Sequence, residues 1–204
     1  MTTAQLTPQS DQTPAVVSVA NELSGPQWVP RFPGSSETSA LTPAFRTSVE
    51  AFKRAMETAG MLVHPNSTYR PIERSHLMRW SWLIRNGTDP AMVPNMAGVN
   101  IEWVHPTLAA SVNAAVQMVT AYNIGGLLLP PAQHSLHNDR EAIDMSITWN
   151  GAIDIVDADG NTVHIDTTPR TGMNAQLKLV GASYGVKKFM GGASDKPHWS
   201  TTGH

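Results

Sequence analysis

The chain of 204 residues has no cysteine, which excludes disulfides, thiolate metal sites and cysteine nucleophiles. Any metal would have to be held by His, Asp or Glu. Charge is scarce: 15% of residues are charged and the net charge is −2, with no basic stripe of the kind that tracks nucleic acid. No apolar run approaches the roughly 18 residues that cross a bilayer. The stretch Met1–Val17 lacks a basic region followed by an apolar run, so no secretory leader is expected. A protein acting beyond the cytoplasm would then need another carrier. The lack of cysteine is compatible with either redox compartment.

What is present reads as one domain with an arm. Residues 1–40 are rich in Ser, Thr, Gln and Pro and read as a mobile start, then an arm packing Trp28 and Phe32 on the domain. Residues 41–204 read as a single domain. Thr42 and Pro43 open a first helix whose apolar face is Phe45, Val49, Phe52 and Met56, with Gly60 closing it. Met61–Val63 reads as a short strand. Pro71 opens a second helix through about Arg85, ended by Asn86-Gly87. Pro106 starts a third, with Leu108, Val112, Val116 and Val119 as its buried face. Strands are expected at 142–149, 153–156 and 162–165, the last two as a hairpin around Asp157–Asn161. A last helix covers roughly Asn174–Val180, and Tyr184–His198 reads as strand and loop. Helices first and strands later predict an α+β fold, a small antiparallel sheet with helices packed on it.

Two clusters carry potential chemistry. One is His137 with Asp144, seven residues on; the other is Asp195-Lys196-Pro197-His198-Trp199. Together they offer two imidazoles and a carboxylate that could bind one metal, with Asp195 as a spare carboxylate beside the last ligand. A hydrolytic zinc site needs such a set: three protein ligands, an open position for water, and a base. Spacing alone does not force the clusters to meet, and a lone His–Asp pair is more often a surface hydrogen bond. His134 is a solvated loop residue or a fourth contact, and His76 reads as structural or surface. The tryptophans, Trp199 among them, are mostly core, although Trp199 could wall a pocket beside His198. Met56, Met78, Met92 and Met118 read as gap fillers. Gly181-Ala182-Ser183-Tyr184-Gly185 matches a serine-hydrolase elbow pattern but closes a helix rather than opening one. Asp157–Asn161 reads as a turn and not a calcium loop, since Thr168 stands where that loop needs Glu.

The ordered set Ser135-x-His137-x-x-x-x-Ala142-x-Asp144, then Asp195-x-x-His198-Trp199, with Tyr69-Arg70 upstream, resembles the zinc D-alanyl-D-alanine peptidases. That group includes phage endolysin peptidases and is related to lysostaphin and the zinc domain of hedgehog proteins. The similarity spans about residues 42–204. It implies a zinc site at the sheet, with His137, Asp144 and His198 as ligands. It implies Asp195 as general base and later acid, and Arg70 as the holder of a carbonyl oxygen or substrate carboxylate. Tyr69, Ser135 and Trp199 would lie about the substrate. The implied activity is a zinc peptidase cutting peptidoglycan stem peptides, as an endolysin or an injected antibacterial effector. Made in the cytoplasm, it would act in the periplasm or cell wall after delivery by a holin or a secretion machine. An immunity protein or secretion carrier would be its partner. The alternative is a non-catalytic zinc-containing module that binds peptide or wall. Two departures stand out: Arg140 replaces the family's usual Gly, and the base is Asp195 rather than the commoner Glu.

Overall fold

The computed structural model describes residues 20–204. The expected mobile start lies, for residues 1–19, outside the described residues. In chain order the elements are β1 (Glu22–Leu23), α1 (Pro43–Thr58), β2 (Leu62–Ser67), α2 (Ile72–Arg85), β3 (Ile101–Glu102), α3 (Leu108–Ala121), β4 (Ala142–Thr148), β5 (Ile153–Val156), β6 (Thr162–Ile165), α4 (Ala175–Ser183), β7 (Lys187–Lys188) and β8 (His198–Ser200). The class is α+β. A four-stranded antiparallel sheet runs β2-β4-β8-β7, with a β5-β6 hairpin and a parallel β1-β3 pair beside it.

The first core lies on one face of the large sheet. Helix α1 begins with Pro at its first turn, where a missing N–H costs nothing, and it buries Phe45, Val49, Phe52 and Met56. These meet Ile143, Met145 and Ile147, the alternate residues of β4 that point the same way. Trp199 of β8 fills the centre of this layer and is fully buried. Gly181 of α4 permits its approach: a Cβ there would lie 2.8 Å from both Trp199 Cζ3 and the Val186 carbonyl. Helix α4 starts at Asn174, whose Oδ1 accepts from the N–H groups of Gln176 and Leu177.

A second core joins α2 and α3 with the arm. Leu77, Met78 and Ile84 pack on Ala115, Met118 and Val119, and Trp28 from the arm is buried among them, with Phe32 at its edge. The expected face of α3 holds at Val119, which is buried, and at Val112, which packs at the edge of the core, but not at its other two positions. Leu108 is 66% exposed and Val116 38%, whereas Ser111, Ala114, Ala115 and Met118 face inward. Small residues let the α2 and α3 backbones approach, and that close contact outweighs burying the larger valine and leucine.

Other differences are local. The strand expected at Met61–Val63 begins at Leu62, after the buried Met61, and continues through Pro65 to Ser67. β2 is an edge strand, so Pro65 breaks no inner ladder, and the register shifts between Pro65 and Ser67. Met92 is 70% exposed and fills no gap. Asp157 builds the predicted turn, its Oδ1 accepting from the N–H groups of Asp159 and Asn161. Ser183 is spent in the end of α4: its hydroxyl donates to the Val180 carbonyl and accepts from the Ala158 N–H.

Candidate metal centre

β4 and β8 lie side by side with Asp144 opposite His198, and β2 adds Ser67 opposite Asp144. Cross-strand partners hold their Cβ atoms about 5 Å apart. Alternation therefore sends Asp144 and His198 to one face together, while Ile143 and Trp199 go to the core on the other. His137 arrives from the turn before β4. That turn is closed by Asn138, whose Oδ1 accepts from the Ser135 N–H and whose Nδ2 donates to the Arg70 carbonyl and Ser75 Oγ.

Three potential donor atoms then converge. His137 Nε2 lies 3.3 Å from Asp144 Oδ1 and 3.2 Å from His198 Nδ1, and the latter two atoms are 3.4 Å apart. Both rings are buried and the carboxylate is nearly so. The other nitrogen of each ring has an acceptor. His137 Nδ1 is 3.4 Å from the Thr68 carbonyl, and His198 Nε2 is 3.1 Å from the main-chain oxygen of His204. Those partners assign the tautomers, with the N–H outward and the lone pair inward on each ring. Two lone pairs and a carboxylate oxygen thus aim at one point, an arrangement that a cation resolves. A tetrahedral ion about 2.0–2.1 Å from its ligands has donor–donor edges of about 3.3 Å. His137, Asp144 and His198 could therefore hold a metal ion. Burial pushes the Asp144 carboxyl upward, but when the inner ring nitrogens carry protons instead of facing an ion, the hydrogen bonds and charges of His137 and His198 outweigh it and hold the group well below the usual carboxylate range.

Around this trio the remaining expected residues fall into distinct places. Asp195 closes a short 3-10 turn, Gly192–Asp195, and its Oδ2 is 4.0 Å from His198 Nδ1 with the side chain 48% exposed. Burial first, then the Asp144 charge, raises its carboxyl above the ordinary value, against the pull of both histidines and Lys188. Arg70 is largely withdrawn from solvent, and this lowers its guanidinium despite the opposing fields of Asp144 and Asp195. Its backbone N–H donates to the His137 carbonyl. Tyr69 lies under Arg140, whose guanidinium carbon is 4.6 Å from the ring centroid. Arg140 has φ +62°, so the turn there adopts the left-handed conformation that favours glycine. Ser135 Oγ is buried and makes no hydrogen bond among the described residues.

Trp199 does not wall a cleft. It stands on the core face of β8, in contact with Phe52, and has no exposed surface for a substrate. The strand period puts a ligand's immediate neighbour on the opposite side. His134 is a solvated loop residue paired with Asp139 at 3.1 Å. A cavity of about 730 Å³ lies beside β4 and the turn that leads into β8, with Met145, Ser146, Thr148, Lys196 and Pro197 among its walls, each next in the chain to Asp144 or His198 or a few residues away.

Three supporting residues carry no sequence motif. Thr68 is buried and offers its carbonyl to His137, while its hydroxyl is tied to the carbonyls of Ser35 and Glu37 in the arm. Asn138 sits next to a ligand but has no signature of its own. Lys188 is buried, and its ammonium donates to the carbonyls of Lys196 and His198. An inward-pointing lysine on so short a strand leaves no periodic trace. No helix of the described residues is long and apolar enough to cross a membrane. Neither a protein-family model nor a curated protein sequence matches the chain.

Proposed function

We propose that the protein is a zinc-dependent peptidase that hydrolyses peptide bonds in peptidoglycan stem peptides. One observation carries this reading. Three residues of the ordered motif, His137, Asp144 and His198, meet at one point although they are scattered along the chain, with Asp195 next to the donor triangle and Arg70 in the field of both carboxylates. The two nitrogens and one oxygen fit zinc, and a small sheet bearing them agrees with the peptidase resemblance. Zinc held there would supply a Lewis acid that brings the pKa of water to about 7 and polarises a carbonyl.

The chain's own residues do the rest. Asp195 takes the proton of the attacking water at its carboxylate and returns it to the leaving amine. Its raised pKa brings it closer to neutrality, where a base that must later act as an acid works best. Being one methylene shorter than Glu, it needs the 3-10 turn to carry it to the donor triangle. Arg70 steadies the carbonyl oxygen as negative charge develops, or grips a substrate carboxylate, with N–H groups that cannot be deprotonated near neutrality. The cavity along β4 takes the peptide on one side of the scissile bond. By analogy the enzyme acts in the periplasm or wall after delivery by a holin or a secretion machine, with an immunity protein in the latter case.

The test uses purified sacculi and measured metal content. The parent should carry zinc and release soluble muropeptides. Asp195→Asn should keep the metal and slow release about 10²–10⁴-fold, the usual contribution of a positioned base. If the parent binds zinc but releases nothing, and Asp195→Asn is indistinguishable from it, the non-catalytic binding module is the better reading.

A further inference from the structure

The loop between α3 and the metal-bearing turn turns its polar backbone inward and its apolar side chains outward. Leu127, Leu128 and Leu129 are 47%, 93% and 74% exposed. Consecutive leucines on a loop of a water-surrounded protein are usually folded under. These are held up. Arg85 Nη1 donates to the Gly125 carbonyl at 3.0 Å, Trp82 Nε1 to the Leu127 carbonyl at 3.3 Å, and Arg79 Nη1 to the Pro131 carbonyl at 3.0 Å. The three donors recur every third residue along α2, so one helix face anchors the whole loop.

The chemistry of the surroundings identifies the medium those leucines suit. The anchors are two guanidiniums and an indole, the side chains that populate the headgroup level of a bilayer. No carboxylate occurs between Glu73 and Asp89 or between Glu102 and Asp139, the two segments that build this surface. The local charge is therefore positive although the chain as a whole carries −2. A protein partner would need its own groove for three leucines; an anionic lipid surface accepts both the apolar tip and its cationic base.

We propose that loop 125–131 docks on an anionic lipid bilayer, with Leu127, Leu128 and Leu129 below the headgroups and Arg79 and Arg85 against lipid phosphates. This is independent of the peptidase reading, since none of these side chains belongs to the metal centre. Binding should scale with apolar area inserted and weaken with salt.

Flotation of the full chain with vesicles of phosphatidylglycerol and phosphatidylcholine tests it. The parent should float with these vesicles and much less with phosphatidylcholine alone. The double variant Leu128→Asp, Leu129→Asp should lose about tenfold or more in partitioning. Its melting temperature should not change, because both side chains already face water. The proposal is overturned if the parent fails to float, or if the double variant floats equally well. It is also overturned if the leucines instead drive self-association in solution with no vesicle binding, which would make a second copy the occupant.

Discussion

Asp144 and His198 are direct partners across β4 and β8, and their Oδ1 and Nδ1 atoms stand 3.4 Å apart. The sheet hydrogen bonds therefore fix one edge of the donor triangle before any ion arrives. Only His137 depends on a turn. An ion that binds the folded chain and not the unfolded one raises stability by about 2.7 kcal/mol at a hundredfold excess over its Kd.

His198→Ala removes one donor from the rigid edge. In thermal melts the parent should shift upward with added zinc and fall back with a chelator. The variant should show neither shift and should retain no zinc after dialysis. A variant that keeps the full shift would show that the ion sits elsewhere.

Lys188 tests the support of that edge. Its ammonium donates to the Lys196 and His198 carbonyls and lies 5.0 Å over the Trp199 ring. Burial pulls it down to about 8, against the field of Asp195. Lys188→Met keeps the packing volume but removes both donors. The expected result is a loss of about 10–100-fold in zinc affinity by competition titration, the range seen when residues behind metal ligands are lost. A lower melting temperature with unchanged affinity would assign it to packing alone.

Arg140 pays for its position with backbone strain and gains the Tyr69 contact. Arg140→Gly and Arg140→Ala both lose that contact, so their difference isolates the backbone. The glycine variant should be the more stable by about 1 kcal/mol in denaturant unfolding, since alanine keeps the left-handed cost. Equal stabilities would mean that the turn relaxes in the variants.

His76 gives a pH signature. It is 3% exposed, and burial pulls its imidazole from 6.5 down to about 4. The unfolded chain takes up this proton at about 6.5, while the folded chain resists until about 4. Stability is thus complete above 6.5, declines as pH falls through that window, and on this account declines no further below 4. The total is at most about 3 kcal/mol. In urea titrations at pH 7 and pH 5, His76→Leu should lose less stability between the two pH values than the parent does. Equal losses would remove His76 from the acid response.

The parts of the fold written in local chemistry were legible. Pro43 and the Phe45–Met56 stripe mark α1, Asn174 caps α4, and Asp157 makes its turn, because each acts within a few residues of itself. His137, Asp144, His198, Asp195 and Arg70 could be named by their order, but the meeting of Asp144 with His198 is a property of the β4–β8 register, and His137 joins them from the turn before β4. Leu108 and Val116 misled because α3 turns its small residues to α2, a choice made by the partner helix. Trp199 misled because a neighbour in sequence is on the other face of a strand. Thr68 and Asn138 were invisible because the carbonyl of the one and the side-chain amide of the other act on residues 69 and 68 positions away.

The contact of Thr68 with Ser35 and Glu37 has a consequence for how the chain can be shortened. Among the described residues the arm makes no hydrogen bond to a donor atom, yet it clamps the peptide group that sets which nitrogen of the 137 ring would face an ion. Cleavage by a protease just after Glu37 would leave every ligand in place and still let the ion escape more easily. The segment around Ser35 and Glu37, ahead of the first long helix, is a splint for the site and not an overhang.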